Sequence, residues 1–294
     1  MKTLPPRAVV VTRPTDYQAL IARHGTREQA RFVLESRGQS LDEVYERHVA
    51  QDRALHTVLG SVPRQWRRAS VQRADLDRFL FEPEDFVLAV GQDGLVANVA
   101  KYLRGQPVAG FNATPGALSR HDPSQAAGLM ADFEGTTLRT EARTLVRAET
   151  DDGRTLLALN EIFVGHRSHQ SARYTLRLGG TCERHSSSGI IVATGTGASG
   201  WAQSIALNRE GCPALPAPTS RDLVFFVREA WASPTTCTRL VHGRLEGSAG
   251  VALIAEMDDG GVCFGDGMET DHLVLTYGQT VSLARAPTAL RLCV

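Results

Sequence analysis

The sequence predicts an α/β domain with a parallel sheet over residues 1–120, followed by a mainly antiparallel β-sandwich over residues 121–294. Three observations carry this. A strand, a tight glycine turn, a helix and a second strand follow one another between Asp85 and Asn112, the pattern of a βαβ unit and hence of parallel pairing. From about Thr136 the texture changes to short runs rich in Val, Leu, Thr and Arg, separated by turn residues. The length, 294 residues, suits two domains of ordinary size.

Element by element, Ala8 to Thr12 reads as a short buried strand, continuous, β-branched and bounded by prolines. Apolar residues then recur at helical spacing from Glu28 to Leu59, and Gly38 divides that stretch into two helices. Ser40 with Glu43 three residues on has the form of a capping box for the second of them. A strand is expected near Ala69 to Gln72 and a short helix from Ala74 to Phe81. Asp85 to Val90 is a continuous apolar strand that breaks at Gly91-Gln92-Asp93-Gly94. A helix from Leu95 to Leu103 and a strand from Pro107 to Asn112 complete the unit.

In the second half, strands are expected at Thr144 to Ala148, Leu156 to Val164, Tyr174 to Leu178, Leu223 to Val227, Leu240 to Leu245, Val251 to Met257 and Leu273 to Thr276. Asp151-Asp152-Gly153, Gly179-Gly180 and Asp258 to Gly261 supply turns, and Pro213 to Pro218 a loop. The tail after these strands can return to the first domain.

The composition excludes several function classes. A net charge of +0 gives no bulk reason to expect nucleic acid or an anionic membrane as partner. No stretch reaches the ~18 apolar residues of a membrane span, and the first residues lack the apolar core of a signal peptide. The five cysteines are scattered, odd in number and without a C-x-x-C pair, which points away from zinc and disulfides and toward a reducing cytoplasm.

Two glycine clusters carry the chemistry. Asp93 stands in a glycine turn between a parallel strand's C-terminal end and a helix, where open α/β sheets bind ligands. Glycines there let a backbone approach phosphate, and the carboxylate can accept a proton from a hydroxyl, or it can merely cap the helix. The second cluster runs from Ser188 to Trp201, a strand entering a loop dense in glycine and hydroxyls, with a helix from Gly200 to Leu207. Gly195, Gly197 and Gly200 satisfy G-x-G-x-x-G. No acidic residue ends a following strand at the expected distance, which counts against a dinucleotide-binding oxidoreductase. No P-loop motif occurs.

The order of three motifs resembles the NAD kinase superfamily, of the NAD kinase/diacylglycerol kinase-like fold: Gly-x-Asp-Gly at Gly91 to Gly94, Asn160-Glu161 read inside a strand, and Thr194-Gly195-Thr196-Gly197 before a helix. The last of these, with Arg37-Gly38, Ser187-Ser188-Gly189 and Val227-Arg228-Glu229, is similar to the mitochondrial-type branch. The resemblance implies an ATP- and Mg²⁺-dependent kinase that phosphorylates the 2′-hydroxyl of NAD to NADP, with a site between its two domains and self-association as a homodimer. It implies Asp93 as catalytic acid/base. Gly91, Gln92, Gly94, Asn112, Thr194, Gly195, Thr196 and Gly197 would meet nucleotide and phosphate. Asn160, Glu161, Thr196, Ser199, Gly200, Trp201 and Ser204 would meet the acceptor, with Trp201 in place of the family's usual tyrosine.

The chain departs from the family at Gln92, where the motif has a second glycine. A changed donor, a changed acceptor such as another small polar or nucleoside-like molecule, or a non-catalytic nucleotide-binding protein are the alternatives this opens. Outside the motifs, His166 and His169 have metal-ligand spacing but lack a third ligand, so Gly165 to Ser171 reads as a solvated loop. Asp266 between Gly265 and Gly267 reads as a hairpin turn, and Arg13 as surface or a phosphate contact after the first strand.

Overall fold

A computed structural model describes residues 5–294, which form two compact units. The first contains residues up to Val99, Gln106–Thr140 and Arg291–Val294; the second contains Ala100–Gly105 and Glu141–Leu290.

The first unit has β1 (Arg7–Thr12), α1 (Asp16–His24), α2 (Arg27–Glu35), α3 (Leu41–Ser61), β2 (Arg67–Gln72), β3 (Asp85–Val90), α4 (Asp93–Ala100), β4 (Pro107–Phe111) and α5 (Ala126–Glu134). Its strands are parallel in the order β2-β1-β3-β4, and Arg291 and Leu292 of the chain's last strand continue the sheet beside Pro107 and Val108. All six residues of β3 and all five of β4 are buried, as expected of strands covered on both faces. Ala54 and Val58 of α3 and Ala126, Leu129 and Met130 of α5 pack on Ala8, Val10, Phe86, Leu88 and Val90. That packing keeps α5 in the first unit, so the change of unit falls after Thr140 rather than at residue 120.

The second unit has β5 (Thr140–Thr150), β6 (Thr155–Ala158), β7 (Glu161–His166), β8 (Ala172–Leu178), β9 (Thr181–Ser187), β10 (Ile190–Thr194), α6 (Trp201–Leu207), β11 (Leu223–Val227), β12 (His242–Leu245), β13 (Gly250–Ala255), β14 (Gly261–Gly265), β15 (His272–Leu275) and β16 (Thr280–Cys293). One sheet, ordered β12-β11-β10-β7-β14-β15, is antiparallel throughout. The other joins β16, β13, β8 and β9 by antiparallel pairs, with β5 and β6 alongside. The period of two sorts the side chains. Ile162, Val164, Ile190 and Val192 point into the core between the sheets, with Leu176, Leu253 and Leu283 from the other side. Phe163, Ile191 and Ala193, one residue out of phase, meet α6 on the opposite face. The predicted architecture, a parallel α/β unit and a mainly antiparallel sandwich, is the one present. No helix among the described residues is long and apolar enough to cross a membrane.

Candidate active site

The sequence-predicted residues fall into two groups, one on each unit. On the first unit, β3 ends at Val90, whose carbonyl accepts from Gln51 Nε2 of α3 at 2.7 Å. Gly91 follows with φ +156°, its N–H donating to Phe111 O at 2.8 Å, and a Cβ there would press on Leu95 Cδ2 at 3.2 Å. The glycine-requiring conformation is therefore at Gly91. Gln92 has no positive φ, so a glutamine meets no conformational obstacle at this place in the turn. Its carbonyl caps α4 by accepting from Leu95 N at 2.9 Å, and its Oε1 accepts from Arg13 Nη2 at 2.7 Å. A Cβ at Gly94 would meet nothing within 4 Å, which leaves its backbone open to approach.

Asp93 is half-buried and heavily bonded. Its Oδ1 accepts from Leu118 N at 3.1 Å and Ser119 N at 2.7 Å, and its Oδ2 from Ala117 N at 2.9 Å. Asp93 thereby holds the loop after β4. Gly116 lies so close that any side chain there would collide with the Asp93 carboxylate. A carboxylate has about four acceptor positions, so Oδ2, with one donor, keeps a lone pair for a ligand hydroxyl. Asn112 is half-buried nearby in the chain, and its side-chain amide has no partner among the described residues.

On the second unit the expected strand from Leu156 to Val164 is interrupted. Ala158 ends β6, Glu161 begins β7, and Leu159-Asn160 form a bend. The cause is Asp266. Its carboxylate takes the N–H groups of Leu159 at 2.8 Å and Asn160 at 2.7 Å, while its own N–H donates to Glu161 O at 3.1 Å. A strand would have offered those two donors to a neighbour. The turn read at Asp266 is present, with φ +53°, but the residue does more than reverse the chain: it fixes the Asn-Glu bend from 106 residues away.

Thr194 locks the same bend to the glycine loop. It is fully buried, its N–H donates to Asn160 O at 2.8 Å, and its Oγ1 donates to Leu159 O at 2.5 Å while accepting from Thr196 N and Gly197 N. Gly195 and Gly197 are glycines for a packing reason. A Cβ on the first would collide with Ala217 O, and on the second with the Asn160 backbone. Thr196 Oγ1 is within 3.5 Å of Arg143 Nη1. Ser199, Gly200 and Ser204 are exposed around the start of α6. Trp201 stacks on Phe163 with ring centroids 5.9 Å apart, and Arg228 lies over the ring at 4.9 Å, so the indole packs α6 onto its sheet.

Burial and charge act together here. Burial, opposed by its N–H donors, pushes Asp266 up to about 6. Burial and then the Asp266 charge push Glu161 up to about 7. Folded Glu161 holds its proton in a range where an unfolded carboxyl, near 4.5, has lost it. The folded state thus binds more protons between those values, and stability falls as pH rises from about 4.5 to about 7. Glu161→Gln removes the Glu161 share of this slope and leaves that of Asp266, which is raised by burial in its own right. The variant is expected to be more stable than the wild type above pH 7, by on the order of 1 kcal/mol, and nearly equal below pH 4.5. Urea unfolding at both extremes measures this; an unchanged pH slope in the variant contradicts it.

His166 and His169 do not close on a metal. His166 Nδ1 accepts from Ser168 N at 3.0 Å, His169 is exposed, and no three of His, Cys, Asp and Glu converge among the described residues. Gln51, Gly116 and Asp266 are the site residues that sequence reasoning passed over. The Gly-Asp-Gly signal at Asp266 was visible, but its partners are remote in the chain.

No family model and no curated protein matches the sequence. Its fold does resemble those of solved structures. A yeast NADH kinase complexed with NADH superposes with TM-score 0.61 at 13% identity, over 99% of this chain and 84% of that one. The chain has the fold of the NAD kinases. An NAD kinase from Archaeoglobus fulgidus in complex with ATP agrees, with TM-score 0.57 and 19% identity over 97% of this chain and 92% of that one.

Proposed function

We propose that the protein is a small-molecule kinase that transfers the terminal phosphoryl group of ATP to the 2′-hydroxyl of NAD, giving NADP. The observation that carries this reading is Asp93: a carboxylate at the end of a parallel strand, fixed by three N–H groups with one Oδ2 lone pair left, on a fold shared with kinases bound to NADH and to ATP. In such a reaction the protein's work is positioning and charge stabilisation. Asp93 Oδ2 takes the proton of the acceptor hydroxyl as its oxygen attacks phosphorus, and the open backbone at Gly94 lets phosphate come close. Asn160 and Glu161, held by Asp266 and Thr194, present their side chains to the acceptor. The Thr-Gly-Thr-Gly form of the loop favours the mitochondrial-type branch.

The family's Mg²⁺ accompanies the donor phosphates. Both Asp93 oxygens already accept N–H groups and no cluster of three metal-binding side chains exists among the described residues, so no residue set here fits as its protein cage. No step above passes through it.

Asn160→Ala tests the acceptor assignment. The bend rests on backbone groups of Asn160, so the variant is expected to fold like the wild type while its KM for NAD rises by about tenfold or more and its KM for ATP stays put. Equal KM values for NAD in both proteins remove Asn160 from the acceptor site.

A further inference from the structure

The second unit has a pocket of its own, of about 360 Å³, walled by β5, by the middle of β16 and by the residues that lead into β11. Thr144, Thr219, Arg221, Arg285 and Thr288 line it, and no carboxylate among the described residues does. The acids nearest in the chain are already committed: Glu141 pairs with Arg143, and Asp222 Oδ2 lies 2.6 Å from Arg244 Nη2. Neither the Arg221 nor the Arg285 guanidinium has a hydrogen bond or ion pair among the described residues, although Arg285 is half-buried. Thr219 and Thr288 are exposed and add hydroxyl donors.

One turn joins this pocket to the glycine loop. Ala217, Pro218, Thr219 and Ser220 form a β-turn closed by Ser220 N donating to Ala217 O at 2.8 Å, with Pro218 at its second position. On one side the turn backs the loop: a Cβ on Gly195 would collide with Ala217 O, and Pro218 O accepts from Thr196 Oγ1 at 3.4 Å. On the other, Ser220 O accepts from Thr144 Oγ1 at 2.8 Å, and Thr219 and Arg221 line the pocket.

Two guanidinium forks and hydroxyls around one concavity, with no acid among them, are the donor set an oxyanion takes. A phosphate group carries nearly two negative charges near neutral pH and has oxygens enough for both forks. We infer that this pocket binds one phosphate group, free or as the monoester of a small metabolite, and that its occupant braces the 217–220 turn behind the glycine loop. None of the residues assigned above to nucleotide or acceptor lines the pocket, so the site is additional to theirs. Binding stands apart from the kinase reading; only its effect on NAD rests on that reading.

Inorganic phosphate titrated into the full-length protein, followed by phosphorus NMR, tests the inference. The wild type is expected to bind it. Arg221→Gln and Arg285→Gln are each expected to weaken binding by about tenfold, with melting temperatures like the wild type's. Competition by glycerol phosphate marks the occupant as a monoester; without competition it is free phosphate, and both uphold the site. Phosphate is also expected to tighten NAD binding about fivefold in the wild type, through the braced turn, and in neither variant. A protein that binds phosphate through both arginines but binds no NAD sinks the kinase reading and leaves the site standing. An NAD affinity that phosphate leaves unchanged overturns the bracing. No phosphate binding by the folded wild type, equal binding by the wild type and either variant, or displacement of the phosphate by ATP or NAD overturns the site itself.

Discussion

Asp93→Asn is expected to slow phosphoryl transfer by about 10²–10⁴-fold, the usual loss when a positioned general base is removed. The sequence alone suggests a variant that folds unchanged; the structure predicts otherwise. Both carboxylate oxygens accept backbone N–H groups of the loop Ala117 to Ser119. An asparagine turns one acceptor into an NH₂ donor that faces an N–H, leaving a half-buried group unpaired, at about 1–3 kcal/mol. Stability and turnover therefore fall together, and they must be separated. Single-turnover rates with substrates bound, taken well below the variant's melting temperature, isolate the chemical step. A variant that loses stability but keeps the wild-type rate makes Asp93 a loop anchor only.

Gly197→Ala is expected to damage the second unit more than an ordinary surface glycine would. The added methyl would run into the O, C and Cα of Asn160, which are backbone atoms with no rotamer to yield. Either the glycine loop or the Asn160 bend must move, and overpacking of this kind costs about 1–3 kcal/mol. The same movement displaces Asn160 and Glu161, so NAD binding should fail before the fold does. Urea unfolding together with NAD titration checks both parts. A variant with wild-type stability and NAD affinity would mean that the loop and the bend are not locked together as described.

Much of the fold was legible because its decisive segments carry one signal at a time. β3 and β11 are continuous apolar runs buried on every side, and both were placed to the residue. The elements that escaped have mixed signals. α1 is short and buries none of its residues outright; its apolar stripe, Tyr17, Leu20 and Ile21, packs only partly buried against α2 and α3. β9, Thr-Cys-Glu-Arg-His-Ser-Ser, points Glu183, His185 and Ser187 inward, where Glu183 accepts the N–H groups of Arg239 and Leu240. A strand whose buried face is polar has no apolar alternation to detect. β14 is bounded by glycines, and β16 contains Pro287, a residue that demotes a run when read locally.

The candidate site shows the same division. Asp93 and its glycines stand in a contiguous motif and could be picked out directly. The residues that hold the motifs could not, since Asp266 acts on Asn160 and Gly116 on Asp93 across long stretches of chain. Glycine also meant different things at different places. At Gly91 it supplies a backbone angle, at Gly94 open space, and at Gly195 and Gly197 room for the protein's own backbone. A motif lists all four alike; only the neighbours tell them apart.

Whether Asp93 drives phosphoryl transfer from ATP to a hydroxyl of NAD is decided by one assay. Purified protein is incubated with ATP, Mg²⁺ and NAD, and NADP is measured beside an Asp93→Asn control. Steady NADP formation is expected from the wild type, with a rate about 10²-fold or more lower in the control. No NADP from folded wild-type protein that binds both ATP and NAD, or equal rates in the two proteins, would contradict it.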